Sequence, residues 1–227
     1  TWGTQNTEAE GHAQIDLALD HGANFIDTAE MYPTTPLSKE TQGDTERIIG
    51  SWAAANNRRD EVIIATKVAG EGYANVRDGA PISRETITIA VENSLRSMRT
   101  DYIDLYQLHW PNRGSYMFRK NWHYDPTNQN KAETLAHMTE VLNCLEDLRK
   151  QGKIRQFGLS NESSWGTAQW LRISEELDLP RAVSIQNEYS LMCRLFDTDL
   201  AELCHNEQVG LLAFSPLACG VLSGKYE

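Results

Sequence analysis

The segment Tyr102-Ile-Asp-Leu-Tyr-Gln-Leu-His109 is a short, mostly apolar and aromatic run that ends on a histidine. Runs of this kind, without strict alternation of polar residues, are typical of strands that are covered on both faces in a parallel sheet. The segment therefore predicts one strand of an α/β protein, with a polar side chain at its carboxyl end.

Five further segments of the chain have the same character. They are residues 24–27, 62–68, 154–160, 182–187 and 210–215. Amphipathic helical patterns lie between them: Thr7 and Glu10 form a capping box before the first, and Gly22 is placed to end it. The third pattern begins near Ser83 and the fourth ends at Gly152, while two more cover residues 164–177 and 198–206. Strict alternation of strands and helices predicts a parallel sheet with right-handed crossovers.

Two α/β architectures fit this alternation. An open doubly wound sheet normally carries a Gly-rich phosphate loop after its first strand, and the chain has no G-x-G-x-x-G motif. A (β/α)8 TIM barrel instead brings the carboxyl ends of all strands to one face, so that Asp27, Lys67 and His109 can meet there. We predict a single barrel domain over residues 1–227, in which six of the barrel's eight units are visible.

Composition excludes several classes of protein. The chain has 227 residues, of which 40% are hydrophobic, 23% charged and 8% aromatic, as in an ordinary globular domain. Its 21 basic and 32 acidic residues give a net charge of −11, which argues against a nucleic-acid partner. The longest nearly apolar run, residues 210–222, is interrupted by Ser215, Pro216 and Gly220 and is too short to cross a membrane. We therefore expect no membrane insertion.

The cysteines and histidines give further expectations. The four cysteines form no C-x-x-C pair, which favours free thiols in a reducing compartment, and no signal peptide pattern is present. We therefore expect a cytoplasmic protein. The histidines apart from His109 lack metal-ligand spacing, so we expect no metal site. They are His12, His21, His123, His137 and His205.

The strand ends also supply a chemical constellation: Asp27, Tyr32, Lys67 and His109. An ammonium group near a phenol lowers the pKa of the phenol, and a carboxylate would hold that lysine in place. Tyr32 would then be a proton donor, and His109 would orient the same substrate oxygen. Two other interpretations stay open: a structural Asp27–Lys67 ion pair at the barrel mouth, and a Schiff-base aldolase that uses Lys67.

A loop rich in aromatic residues follows His109. It contains Trp110, Tyr116, Phe118, Trp122 and Tyr124. This composition predicts a wall of a substrate pocket, which Trp2 would join, or else a loop that is anchored to the barrel by its own rings.

Four motifs resemble the NADP(H)-dependent aldo-keto reductase family. They are Asn24-Phe-Ile-Asp-Thr-Ala-Glu-Met-Tyr32, which Gly43, Glu46 and Gly50 continue as G-x-x-E-x-x-x-G, then residues 94–109, residues 153–161 and residues 215–226. Together they span nearly the whole chain. The last two resemble the branch that includes bacterial aldo-keto reductases and the β subunits of voltage-gated potassium channels.

The resemblance implies a role for each matching residue. Tyr32 would be the general acid, Asp27 and Lys67 would tune its pKa, and His109 would orient the carbonyl group during hydride transfer from NADPH. The other matching residues would hold the cofactor or the substrate. Ser160, Asn161 and Gln186 would bind the nicotinamide carboxamide, Phe214 would stack on the ring, Ser215, Leu217, Gly220, Ser223 and Lys225 would wrap the pyrophosphate, and Trp2 and Trp110 would contact the substrate.

The implied activity is the reduction of small aldehydes or ketones to alcohols by an NADP(H)-dependent reductase of the alcohol dehydrogenase type. The alternative is a regulatory module, similar to a channel β subunit, that binds NADPH and turns it over slowly. A homo-oligomer is compatible with either. By the same resemblance, the first strand of the family would precede Thr1, and its eighth unit, with contacts to the 2′-phosphate, would follow Glu227, so we expect a longer natural protein.

Overall fold

A computed structural model of the protein describes residues 2–226, except for the side chain of Asn56. Strands and helices alternate along this part of the chain. The strands are β1 (Phe25–Asp27), β2 (Ile63–Val68), β3 (Ile103–Leu108), β4 (Ile154–Ser160), β5 (Ala182–Glu188) and β6 (Gly210–Phe214). The helices are α1 (Glu8–Asp20), α2 (Asp44–Asn56), α3 (Arg84–Met98), α4 (Lys131–Lys150), α5 (Ser164–Glu176) and α6 (Leu200–Asn206).

The strands form one parallel sheet in which each strand pairs with the next along the chain. The sheet is strongly curled, as one hydrogen bond between distant strands shows. Gln186 Nε2 on β5 donates to Asp27 Oδ1 on β1 at 2.8 Å. In a flat sheet those two strands would lie about 19 Å apart, at about 4.8 Å per strand. A direct contact across the concave face confirms the predicted α/β fold of barrel type.

Local sequence signals determine most helix ends. Thr7 and Glu10 form the expected capping box at α1, and Ser83 caps α3. The sixth helix is the exception, since it begins at Leu200 and not at Thr198. The preceding residues, Leu195–Thr198, form a short 3-10 turn, in which Thr198 Oγ1 donates to Leu195 O at 2.7 Å. Asp199 leaves the helical conformation between the two elements, with φ −149° and ψ −35°.

The main hydrophobic core lies between the convex face of the sheet and the helices. Its largest fully buried side chains include Trp52, Tyr106, Met138, Leu142 and Phe157. The middle strands β2, β3 and β4 are largely buried, whereas β1 and β6, each paired on one side only among the described residues, are partly exposed. No helix within residues 2–226 combines the length and the apolar character that crossing a membrane requires.

Each residue of the G-x-x-E-x-x-x-G pattern has a physical reason. Gly43 precedes α2 with φ +80°, a conformation that favours glycine. Glu46 is buried and accepts a hydrogen bond of 2.6 Å from Thr66 Oγ1 of β2. Gly50 lies against α3, where an added Cβ would come within 2.4 Å of Ser97 O. The pattern thus fixes α2 against β2 and α3, and it positions the loop that carries Tyr32.

Glu46 predicts a pH dependence of stability. Burial raises the pKa of Glu46 to about 7. The folded state therefore keeps this proton to a higher pH than the unfolded state does. The stability that protonated Glu46 contributes is fully present below about pH 4.5 and is lost as the pH rises through about 7. Compared with the variant Glu46→Gln, the wild type should lose roughly 2 kcal/mol of unfolding free energy between about pH 5 and about pH 8. Urea unfolding across this range checks the result, and parallel curves for the two proteins would contradict it.

Candidate active site

The four side chains of the predicted constellation meet at the carboxyl end of the sheet. Asp27 ends β1, Lys67 lies near the end of β2, and His109 directly follows β3, while Tyr32 lies in the loop after β1. Lys67 Nζ lies 5.1 Å from the centroid of the Tyr32 ring. The rings of Tyr32 and His109 have centroids 5.7 Å apart and meet edge to face. Strand order therefore brings together residues that are far apart in the chain.

Lys67 is the buried centre of this cluster. Its side chain is 0% exposed, and Nζ donates hydrogen bonds to Asp27 Oδ2 at 2.6 Å and to Thr28 O at 2.7 Å. Burial lowers the pKa of Lys67, and the neighbouring Asp27 carboxylate opposes that shift. An amine that donates to two acceptors is badly placed to attack a carbonyl carbon, which disfavours the Schiff-base interpretation.

The pKa expectation for Tyr32 was wrong. Lys67 was expected to lower the pKa of the phenol, but burial raises the pKa of Tyr32 well above its ordinary value, and the Asp27 carboxylate raises it further. The Asp27 carboxylate is paired with the lysine and offsets its field at the phenol, so the effect of burial prevails. Tyr32 consequently remains protonated at neutral pH. It can still donate its proton to an oxygen that becomes strongly basic during the reaction.

His109 is neutral in this environment. Burial lowers the pKa of His109 well below its usual range, and the positive charge of Lys67 acts in the same direction. A neutral imidazole carries one N–H and can donate one hydrogen bond. Its Nδ1 is buried and has no hydrogen-bond partner among the described residues. The ring is thus suited to contact a carbonyl oxygen without carrying a charge.

The residues expected to hold a carboxamide lie on the neighbouring strands. Ser160 and Asn161 are each 2% exposed, and Asn161 Nδ2 donates to His109 O at 2.9 Å. Asn161 Oδ1 is buried and accepts no hydrogen bond from the described residues, so it offers an acceptor to an amide N–H. Gln186 donates to Asp27 and thereby connects this set to the Lys67 cluster. These side chains fit a nicotinamide carboxamide.

The segment after β6 forms a compact turn that fits an anion. Phe214 is half-buried at the end of β6, and Leu217 is largely exposed. Ser223 Oγ donates to Gly220 O at 2.6 Å, and Ser215 has a left-handed φ of +52°. An added Cβ on Gly220 would lie 2.9 Å from Lys225 Nζ, so the glycine leaves room for the ammonium group over the turn. Small residues and a single lysine are suited to a diphosphate.

The rings of the aromatic loop fall into two groups, one lining a cleft and one packing within the loop. Trp110 and Phe118 contact each other with ring centroids 6.0 Å apart and line a cleft of about 670 Å³ together with Met31, Leu37 and Tyr73. Tyr116 and Tyr124 instead pack against each other and anchor the loop, and Trp122 is 87% exposed.

Trp110 is held in one orientation. Its Nε1 donates to Glu71 O at 3.1 Å, and an added Cβ on Gly70 would lie 2.3 Å from its ring. The bare Gly70 backbone therefore makes room for the indole.

Trp2 lies elsewhere and does not join Trp110. Its indole donates to Gln14 Oε1 at 2.8 Å, and its carbonyl accepts a hydrogen bond of 2.9 Å from Thr45 Oγ1. It lines a separate cavity of about 200 Å³ beside α1, which Asp27 also borders but Trp110 does not. Contacts with α1 and α2 thus hold Trp2 outside the aromatic cleft.

Sequence reasoning did not single out Gln107, Glu30 or Arg77. Gln107 Nε2 donates to Asp27 Oδ1 at 3.1 Å, and its position two residues before His109 places it on the same face of β3. That alternation could have identified it. Glu30 is buried and paired with Arg77, at 2.5 Å between Oε2 and Nη1. The pair joins the loops after β1 and β2, and its partners lie too far apart in the chain for a local signal.

Within residues 2–226, no group of three or more His, Cys, Asp or Glu residues is arranged to hold a metal ion.

Comparison with known proteins agrees with this geometry. The whole chain, residues 1–227, matches the sequence profile of the Aldo/keto reductase family. Protein tas of Escherichia coli strain K12 is 44% identical over 229 residues, which is 100% of this chain and 65% of that protein. An aldo-keto reductase of Babesia bovis is 38% identical over 177 residues, or 73% of this chain and 61% of that protein. The crystal structure of a Klebsiella pneumoniae aldo-keto reductase in complex with NADPH has a TM-score of 0.68 at 27% identity and covers 96% of this chain.

A curled parallel sheet with polar side chains converging at its carboxyl end is the arrangement of a (β/α)8-barrel enzyme. The chain belongs to the aldo-keto reductase family. It spans 65% of the length of Protein tas and 61% of the Klebsiella chain.

Proposed function

We propose that the protein containing this chain reduces small aldehydes or ketones to alcohols, with NADPH as the hydride donor and Tyr32 as the proton donor. The observation that carries the proposal is the convergence of Tyr32, Lys67 and His109 at one end of the sheet. The cleft lined by Trp110 and Phe118 adjoins these residues and would admit the substrate. We further propose that the protein is an NADP(H)-dependent enzyme of the alcohol dehydrogenase type.

The mechanism follows from the protonation states at the site. The His109 N–H donates a hydrogen bond to the carbonyl oxygen and orients it. NADPH, when bound, supplies the hydride that the carbonyl carbon accepts. Tyr32 gives its proton to the oxygen as negative charge develops there, and the resulting phenolate recovers a proton from solvent. Lys67 stabilises that phenolate, and Asp27 and Thr28 O hold the lysine in place.

The cofactor would be held by the second half of the chain. Ser160, Asn161 and Gln186 would bind the carboxamide, because Asn161 Oδ1 is a buried acceptor that no described residue satisfies. Phe214 would stack on the nicotinamide ring. The turn of residues 215–225 would wrap the diphosphate, since Gly220 leaves space for the ammonium group of Lys225.

We also propose that the protein works in a reducing compartment, the cytoplasm. All four of its cysteines are free: Cys144, Cys193, Cys204 and Cys219. Free thiols are the usual state in that compartment.

The cleft lined by Trp110 and Phe118 is mostly apolar, which suits a small carbonyl compound with a hydrophobic substituent.

A fluorescence titration of the natural full-length protein with NADPH, and in parallel with NADH, tests the proposal. We expect saturable binding with a preference for NADPH, and consumption of the bound cofactor when a small aldehyde is added. Binding without turnover would favour the regulatory module described above. Failure to bind either nucleotide would contradict the proposed function.

A further inference from the structure

Two segments at the carboxyl end of the sheet are joined by hydrogen bonds. They are the loop of residues 109–130 between β3 and α4, called here the β3 loop, and the turn of residues 161–163 between β4 and α5, called the β4 turn. Asn161 Nδ2 donates to His109 O at 2.9 Å, and Ser115 Oγ donates to Asn161 O at 2.8 Å. The β3 loop thus holds both the side-chain amide nitrogen and the backbone carbonyl of Asn161.

A buried ion pair joins the same segments one residue further on. Arg113 and Glu162 have side chains that are 9% and 3% exposed, and they form a two-pronged contact in which Nη1 lies 3.0 Å from Oε2 and Nη2 contacts Oε1. Arg113 Nη2 also donates to Ser163 Oγ at 3.2 Å. Paired contacts of this kind fix orientation as well as distance.

Residues of β5 and α5 also contact Glu162 or leave space for the pair. Glu162 also accepts from the Trp170 indole at 3.2 Å, and its carbonyl accepts from Asn187 Nδ2 at 3.1 Å. An added Cβ on Gly166 would lie 2.1 Å from Arg113 Nη2 and 2.2 Å from Glu162 Oε1, so a larger residue there would displace the pair. The pair is therefore connected to β5 and α5 as well as to the β3 loop.

Stability alone gives little reason for this arrangement. A buried ion pair is often no more stabilising than apolar residues of the same size. Arg113 Nε is buried and has no acceptor among the described residues, which is a further cost. What the pair does provide is a fixed geometry. Asn161 itself has φ +53°, a left-handed conformation that is uncommon for a residue other than glycine and needs support from its neighbours.

We propose that Arg113 and Glu162 are positioning residues that hold Asn161 in its left-handed conformation and fix the β3 loop, with Trp110, at the same time. Neither residue touches the reacting atoms. The inference rests on the proposed function, because Asn161 is the candidate carboxamide ligand and Trp110 a candidate substrate contact. Loosening the pair should therefore weaken binding of the cofactor and of the substrate together.

The test compares Arg113→Met with a matched control, Arg59→Met. Arg59 forms a similarly buried pair with Asp104, at 2.7 Å, beside the amino-terminal ends of β2 and β3. Both variants remove an arginine from a buried carboxylate, although Asp104 keeps a second arginine partner, Arg155, at 2.7 Å. We expect Arg113→Met to weaken NADPH binding at least about tenfold and to lower the preference for one face of the nicotinamide in transfer from deuterated NADPH. Arg59→Met should change neither, although its stability falls.

A double variant separates positioning from stability. Replacing both partners, as Arg113→Met with Glu162→Leu, removes the uncompensated charge and should recover much of the stability lost in the single variant. Its NADPH affinity should stay weak. Recovery of affinity in step with stability would overturn the proposal, as would an Arg113→Met protein that binds NADPH as well as Arg59→Met does.

Hydrogen exchange gives a readout that does not depend on the cofactor. In Arg113→Met, we expect faster exchange in both the β3 loop and the β4 turn, and no such change in Arg59→Met. If the wild type bound no nucleotide, the proposed function would fail, whereas joint loosening of the two segments would still support their coupling. Unchanged exchange at the β4 turn would overturn that coupling whatever the protein binds.

Discussion

Replacement of Tyr32 by phenylalanine is expected to lower turnover at least about a hundredfold while leaving NADPH affinity unchanged. The substitution removes only the hydroxyl group, so the ring contacts with His109 and Lys67 are kept. The neutral His109 can still orient the carbonyl group, but it would have to give up its only N–H proton to replace the phenol. The loss should therefore fall on the rate constant for reduction.

Single-turnover measurements with NADPH and a small aldehyde check this result. The variant Tyr102→Phe is a matched control, because Tyr102 lies at the amino-terminal side of β3, where its hydroxyl donates to Asp60 Oδ1 at 3.2 Å. That control should turn over as the wild type does. An equal rate in Tyr32→Phe and wild type would remove Tyr32 from the mechanism.

Replacement of Lys67 by methionine is expected to lower turnover by about a hundredfold as well. Lys67 Nζ lies 5.1 Å from the Tyr32 ring, and a unit charge at that distance stabilises a phenolate by about 3 kcal/mol at an effective dielectric constant of about 20. Methionine keeps most of the buried volume and removes the charge. The field of the Asp27 carboxylate, which the ammonium offsets in the wild type, then acts on the phenol without opposition.

The control for this change is Lys153→Met. Lys153 forms an ion pair with Glu92, at 2.5 Å, with both side chains partly exposed and neither in the candidate site. We expect the control to keep wild-type turnover and Lys67→Met to keep NADPH affinity, as fluorescence titration would measure it. Turnover within a few fold of wild type would contradict the role of Lys67.

The strands and most helix ends could be predicted from the sequence because their signals are local. Runs of apolar residues gave β4 with the same bounds as the structure, and a capping box gave the start of α1. The order of the strands then predicted that Asp27, Lys67 and His109 meet. Parallel strands in sequence order leave few other arrangements.

The electrostatics and the long-range pairs could not be predicted in the same way. Whether the pKa of Tyr32 is raised or lowered depends on burial and on how closely Asp27 approaches Lys67, and residue spacing contains neither quantity. Arg113 and Glu162 lie 49 positions apart and carry no local motif. The position of Trp2 depends on contacts with α1 and α2, which the family pattern did not specify.

The order of the strands also separates the candidate site into two parts that lie one after the other in the sequence. The groups that would handle the proton come from the part of the chain before α4, and those that would hold the cofactor come from the part after it. A recombination event within α4 would thus exchange cofactor preference and leave the acid chemistry intact. Such an exchange would have to preserve the contacts across the junction, among them those of Asp27 with Gln186, of Arg113 with Glu162 and of His109 with Asn161. At such contacts the two halves of the gene must evolve together.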